Sequence, residues 1–131
     1  MLRMIKQILP ILFVILVFSC VSELESKKQN LRLEIQSASY SYFVGEKWYP
    51  YVEEKINRDE YLNILKTAYN SAGEEIFWDA VDRAISRIDS HLSGGAADER
   101  YVKPKVFLEV LLKKKPTPDD FQVVLDVFEG R

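Results

Sequence analysis

Between Glu74 and Gly94 the residues Ile76, Phe77, Ala80, Val81, Ala84, Ile85, Ile88 and Leu92 recur at intervals of three and four, the period of one helix face. A stripe that continuous must be covered by other elements, so it fixes a core-facing helix around which the rest of the chain has to organise. Its limits are also written locally. Glu74 and Glu75 lie where a helix dipole is positive, and Gly94-Gly95 interrupts the pattern at the other end.

The flanking segments read the same way. Asn57 is placed to cap a helix whose first turn holds Arg58-Asp59-Glu60 and whose apolar face is Tyr61, Leu62, Leu65, Ala68 and Tyr69, closing near Gly73. Residues 96–100 read as a loop, after which Pro104 suits the first turn of a helix presenting Val106, Phe107, Val110 and Leu111. Lys113-Lys114-Lys115 then fall at its negative end. Thr117 and Pro118 open a last helix with Phe121, Val124, Leu125 and Phe128 inward and Gly130 behind it.

Residues 31–44 carry two patterns at once. Leu31, Leu33 and Ile35 alternate as in a strand, while Leu24, Leu31, Ile35, Ala38 and Tyr42 share a helical stripe. Helix is favoured; the alternative is a strand from Ser37 that turns at Gly45-Glu46-Lys47 into Trp48-Tyr49, an aromatic hairpin near residues 37–52. The predicted fold is therefore mainly α, an antiparallel bundle of four or five short helices with tight connections.

The first twenty residues are of a different kind. Arg3 and Lys6 precede an apolar run of eleven residues from Ile8 to Phe18, the order of an export signal. A helix crossing the hydrocarbon needs about twenty residues, and Pro10 weakens any longer helix attempted through Lys6 and Gln7. The run closes on Val17-Phe18-Ser19-Cys20, which resembles the lipobox of bacterial prolipoproteins. Val17, Ser19 and Cys20 match that motif, and Phe18 departs from the small or aliphatic residue usual at its position. The resemblance covers residues 1–20 and implies removal of residues 1–19, a diacylglycerol on the Cys20 sulfur, and further acylation, as with palmitate, of the amine exposed by cleavage. Two or three chains make attachment long-lived where one would be marginal. Val21 and Ser22 follow in place of the aspartate that, in the family, commonly retains a lipoprotein in the inner membrane, which points to the outer membrane in a two-membrane envelope.

On that expectation the chain divides into a signal peptide (1–19), a lipidated cysteine with a polar tether or frayed helix start (20–30), and a helical domain (31–131). Cys20 is the sole cysteine, so the remainder has no disulfide, no cysteine-ligated metal and no thiol nucleophile. Residues 20–131 carry 16 Lys+Arg against 20 Asp+Glu, formally −4, an acidity that argues against nucleic acid as a partner.

Few residues suggest chemistry. The single histidine, His91, falls in the last turn of the central helix, where a cation is favoured. A histidine-based triad or zinc site has no second member. Glu53-Glu54, Glu74-Glu75 and Asp119-Asp120 would serve catalysis only if folding paired acids in one pocket, and helix-end electrostatics accounts for two of the three. Asp98 and Glu99 lack the twelve-residue calcium-loop pattern, and Gly94-Gly95 lacks the spacing and lysine of a phosphate loop. Tyr40, Tyr42, Phe43, Trp48, Tyr49 and Tyr51 crowd twelve residues and are either core or contact surface. Trp48, Tyr49 and Tyr51 are the contact candidates. No catalytic residue, metal ligand or cofactor is assigned, and the expected role is a non-enzymatic envelope module that binds another envelope or extracellular protein. A small inhibitor or immunity-type protein that blocks an enzyme is the alternative.

Overall fold

The computed structural model describes the backbone of residues 2–45, 55–94 and 99–131, and side chains for residues 22–45, 55–94 and 100–131. These residues form α1 (Leu2–Phe43), α2 (Arg58–Ala72), α3 (Glu74–Ser93), α4 (Glu99–Lys114), a single 3-10 turn at Pro118–Asp120, and α5 (Phe121–Glu129). The mainly helical fold holds, with no strand among the described residues.

Side-chain pairs fix the directions. Tyr40, late in α1, meets His91, late in α3, and Lys28 meets Asp79 earlier in the same two helices, so α1 and α3 run in the same sense. Tyr61 at the start of α2 stacks on Tyr42 at the end of α1, and Lys105 early in α4 reaches Asp89 late in α3. These two helices therefore run back. Phe121 stacks on Phe77 and Phe128 packs on Phe43, which aligns α5 with α1 and α3. The result is an up-down-up-down-up bundle. One end holds the start of α3, the end of α4 and the start of α5; the other holds the end of α1, the start of α2 and the end of α3.

The helix limits follow from local chemistry. The Asn57 side chain accepts from the Glu60 amide at 2.8 Å and donates to the Glu60 carboxylate at 2.8 Å, a reciprocal cap. Gly73 (φ +90°) turns α2 into α3 with no intervening loop, and Gly130 (φ +75°) closes α5 in a left-handed conformation that a Cβ would disfavour. Thr117 stands at the expected cap position, yet its hydroxyl bonds the Asp120 carboxylate at 3.3 Å in place of a backbone amide. The turn it opens is 3-10.

The helix favoured over residues 31–44 holds, whereas the hairpin alternative, the helix start at Pro104 and the inward face of Val106 are corrected. Residues 37–43 belong to α1, so the hairpin's first arm does not form there, and Trp48, Tyr49 and Tyr51 lie outside the described residues. Leu33 settles the register: it is exposed while Ile35 is fully buried, as a helix requires and as a strand with Leu31, Leu33 and Ile35 on one face does not. Pro104 lies inside α4, which begins at Glu99. Its missing amide would have bonded the carbonyl of Arg100, still in the opening turns, so the proline forfeits one bond near the helix start. In α4, Val106 faces solvent and Leu108 is fully buried beside Phe107 and Leu111.

The core is continuous from Tyr61, Leu65 and Ala68 through Phe77, Trp78, Val81 and Ile88 to Phe107, Phe121 and Leu125. Trp78 closes the space between helices, edge-on to Phe77 at 4.8 Å with Tyr69 and Phe121 at 6.2 Å. On α1 the inward face is unusually polar: Gln36 and Ser39 are fully buried and Arg32 nearly so. Ser39 bonds the Ile35 carbonyl and the Tyr61 hydroxyl, both at 2.8 Å. Among the described residues no buried side-chain nitrogen or oxygen lacks a partner.

Candidate functional site

Cys20 is part of α1, and the same helix runs on without a break into the bundle. Four residues on, Leu24 lines a shallow groove with Ile76 of α3; Glu25 then pairs with Arg83 at 3.0 Å and Lys28 with Asp79 at 3.6 Å. The stretch read as a tether or frayed helix start is thus helical and held to α3 within about 8 Å of axial rise from the cysteine. Lys113, Lys114 and Lys115 emerge at this same end of the bundle, exposed and without an ion-pair partner among the described residues. Lys115 itself takes a left-handed φ of +43° while its amide still bonds the Leu111 carbonyl at 2.8 Å.

A groove of about 760 Å³ runs along α3 towards the end of α4, lined by Glu74, Glu75, Asp79 and Asp82 with Trp78 and Lys115. The acids lie along a single helix face. Asp79 is engaged by Arg83 at 2.9 Å and by Lys28, and no group of three metal-ligating side chains exists among the described residues. Asp119, of another acidic pair, bonds the Lys66 ammonium at 2.8 Å, and that lysine holds its carboxyl below the usual range.

The opposite end is built differently. The imidazole Nδ1 of His91 lies 2.9 Å from the Tyr40 hydroxyl. Burial, and then the nearby Arg87 and Arg32, lower the His91 pKa, so the neutral ring is favoured where the helix dipole alone would favour the cation. From Tyr40 a polar line continues down α1: Gln36 donates to the Tyr40 hydroxyl at 3.4 Å and accepts from Arg32 at 3.0 Å, which also reaches Gln29. Sequence reading placed His91 at a solvated helix end and missed this line. The four-residue spacing of Arg32, Gln36 and Tyr40 was the available signal.

No protein-family model, curated protein or solved structure matches this chain. Function therefore rests on its own residues.

At the same end of the bundle lies a third groove, of about 590 Å³, between the end of α1, the start of α2, α4 and the end of α5. Its floor is aromatic, with Phe43 edge-on to Phe128 at 5.8 Å and to Tyr61 at 5.7 Å. Its wall is a closed network. Tyr42 donates to one Glu129 oxygen at 2.7 Å, Arg58 donates to the other at 3.3 Å, and Arg58 also pairs with Asp126. Burial first, then the hydrogen bond to Glu129, push the Tyr42 phenol up to about 12, which keeps it a donor. Gly45 and Lys55 meet here, since a Cβ on Gly45 would come 3.0 Å from the Lys55 Cδ. Residues 46–54, which contain Trp48, Tyr49 and Tyr51, connect these two adjoining positions.

Proposed function

We propose that this chain is a lipid-anchored module of the bacterial cell envelope, non-enzymatic, whose helical bundle binds another envelope or extracellular protein. The observation that carries the reading is the sequence Val17-Phe18-Ser19-Cys20, which lies within α1 ahead of the part of that helix packed in the bundle. Lipid on Cys20 holds one end of the bundle towards the bilayer. With α1 clamped to α3 from Glu25 onward, the opposite end, with the aromatic groove, faces away from the membrane.

The absence of catalytic function is argued from the sequence: one histidine, and one cysteine consumed by lipid. The anchor in this reading is the acyl chains on Cys20. Metabolic labelling with palmitate tests the anchor. Label should enter the wild-type chain and be lost in Cys20→Ala; label retained in Cys20→Ala would contradict it.

A further inference from the structure

We propose that the groove at the end of the bundle remote from Cys20 takes an acidic peptide segment with an aromatic or leucine side chain, supplied by the partner protein. The proposal rests on the protein-binding reading above and narrows it.

Charge carries the argument. Among the described residues, Lys55, Arg58, Lys103 and Arg131 face the groove or its rim, against Glu129 there and Asp126 beside it, a balance of +2. The domain as a whole is formally −4 over residues 20–131, so this positive site runs against the charge of its surroundings. Moreover, both acids are already engaged. Glu129 accepts from Tyr42 and Arg58 and lies 3.9 Å from Arg131, while Asp126 pairs with Arg58. Lys55 and Lys103 are exposed and have no carboxylate within ion-pair distance among the described residues. Two ammonium groups over an aromatic floor, with the wall acids neutralised, are complementary to carboxylates carried next to an apolar ring.

The dimensions agree. A volume of about 590 Å³ falls within the roughly 300–1,000 Å³ usual for binding clefts, and Phe43 and Phe128 line it together with the cationic side chains. A membrane surface is a poorer occupant, because α1 leads from Cys20 to the other end of the bundle. Nucleic acid is disfavoured by the acidity of the remaining surface.

The probe is a short fluorescein-labelled peptide of alternating Asp and Phe, titrated with the full chain in neutral detergent micelles and read by anisotropy. Its Lys-Phe and Asp-Ser counterparts are measured alongside. The Asp-Phe peptide should bind in a salt-sensitive manner and more tightly than either counterpart. Lys55→Glu with Lys103→Glu should weaken it by roughly tenfold or more, and Lys114→Glu at the other end should leave it unchanged. Because Lys55 and Lys103 are exposed, the double variant should melt like wild type. No binding of the Asp-Phe peptide, equal binding of the Lys-Phe peptide, or affinity retained in the double variant would overturn the proposal. So would binding to phosphatidylglycerol vesicles that the double variant abolishes while peptide binding is absent. Photo-crosslinking in cells separates this failure from that of the broader reading: a crosslinked partner that persists in the double variant removes the groove alone, whereas no crosslinked partner in wild type removes the binding module as well.

Discussion

The hydroxyl of Tyr40 lies 2.9 Å from Nδ1 of His91, joining the last turns of α1 and α3 at the end of the bundle remote from Cys20. The lowered His91 pKa makes this link sensitive to acid. The unfolded chain takes up a proton near the ordinary histidine value of about 6.5, while the folded chain resists until lower pH. The folded state therefore binds fewer protons in that window. Its stability contribution is complete above the unfolded pKa and falls as pH drops from there through the folded value. The melting temperature of wild type should decline between pH 7 and pH 5 more steeply than that of His91→Gln. Parallel curves would contradict the assignment.

Ser39 and Tyr61 offer a test of the buried polar seam. The Tyr61 hydroxyl is fully buried with Ser39 as its hydrogen-bond partner, whereas Ser39 also holds the Ile35 carbonyl. Ser39→Ala strands a buried phenol and should cost about 1–3 kcal/mol; Tyr61→Phe removes the hydroxyl itself and should cost about 1 kcal/mol. Denaturant unfolding of the two variants and their combination checks this. The double variant should lose less than the sum of the singles.

The register of α4 predicts a contrast between neighbours. Leu108 is fully buried and Val106 is exposed, so Leu108→Ala should cost about 2–5 kcal/mol while Val106→Ala stays within about 0.5 kcal/mol. Equal losses in urea unfolding would restore the face read from the sequence.

That contrast shows where the sequence was legible. In α2, α3 and α5 the apolar stripe is regular and bounded by a cap or a glycine, and Tyr61, Leu65, Phe77, Val81, Ile88, Phe121 and Leu125 are buried where the period puts them. In α4 three adjacent apolar residues, Val106, Phe107 and Leu108, leave the phase open by one position, and packing against the other helices decides it, with Phe107 against Phe43, Tyr61 and Phe128. Pro104 was read as a helix start because its missing amide is cheapest there, and neighbouring packing allowed the helix to begin five residues earlier. The groove of the candidate site was illegible for another reason: Tyr42, Lys55, Arg58, Lys103 and Glu129 are brought together from four separate segments, and no local spacing announces such a meeting.

The clamp between α1 and α3 also has a measurable consequence. Glu25–Arg83 is a partly exposed pair, so Arg83→Ala should change global stability by no more than about 1 kcal/mol. Arg83 also holds Asp79, and its loss should release the first turns of α1 beyond the cysteine. Amide exchange of residues 22–30 should accelerate in Arg83→Ala while residues 35–43 stay protected. Uniform exchange along residues 22–43 in both proteins would contradict the clamp.

The most direct test of the account is the intact mass of the protein extracted from membranes, compared between wild type and Cys20→Ala. The account predicts that wild type has lost residues 1–19 and gained the mass of two or three acyl chains with glycerol, and that Cys20→Ala carries no lipid. A wild-type mass that retains residues 1–19 and shows no added lipid would contradict it.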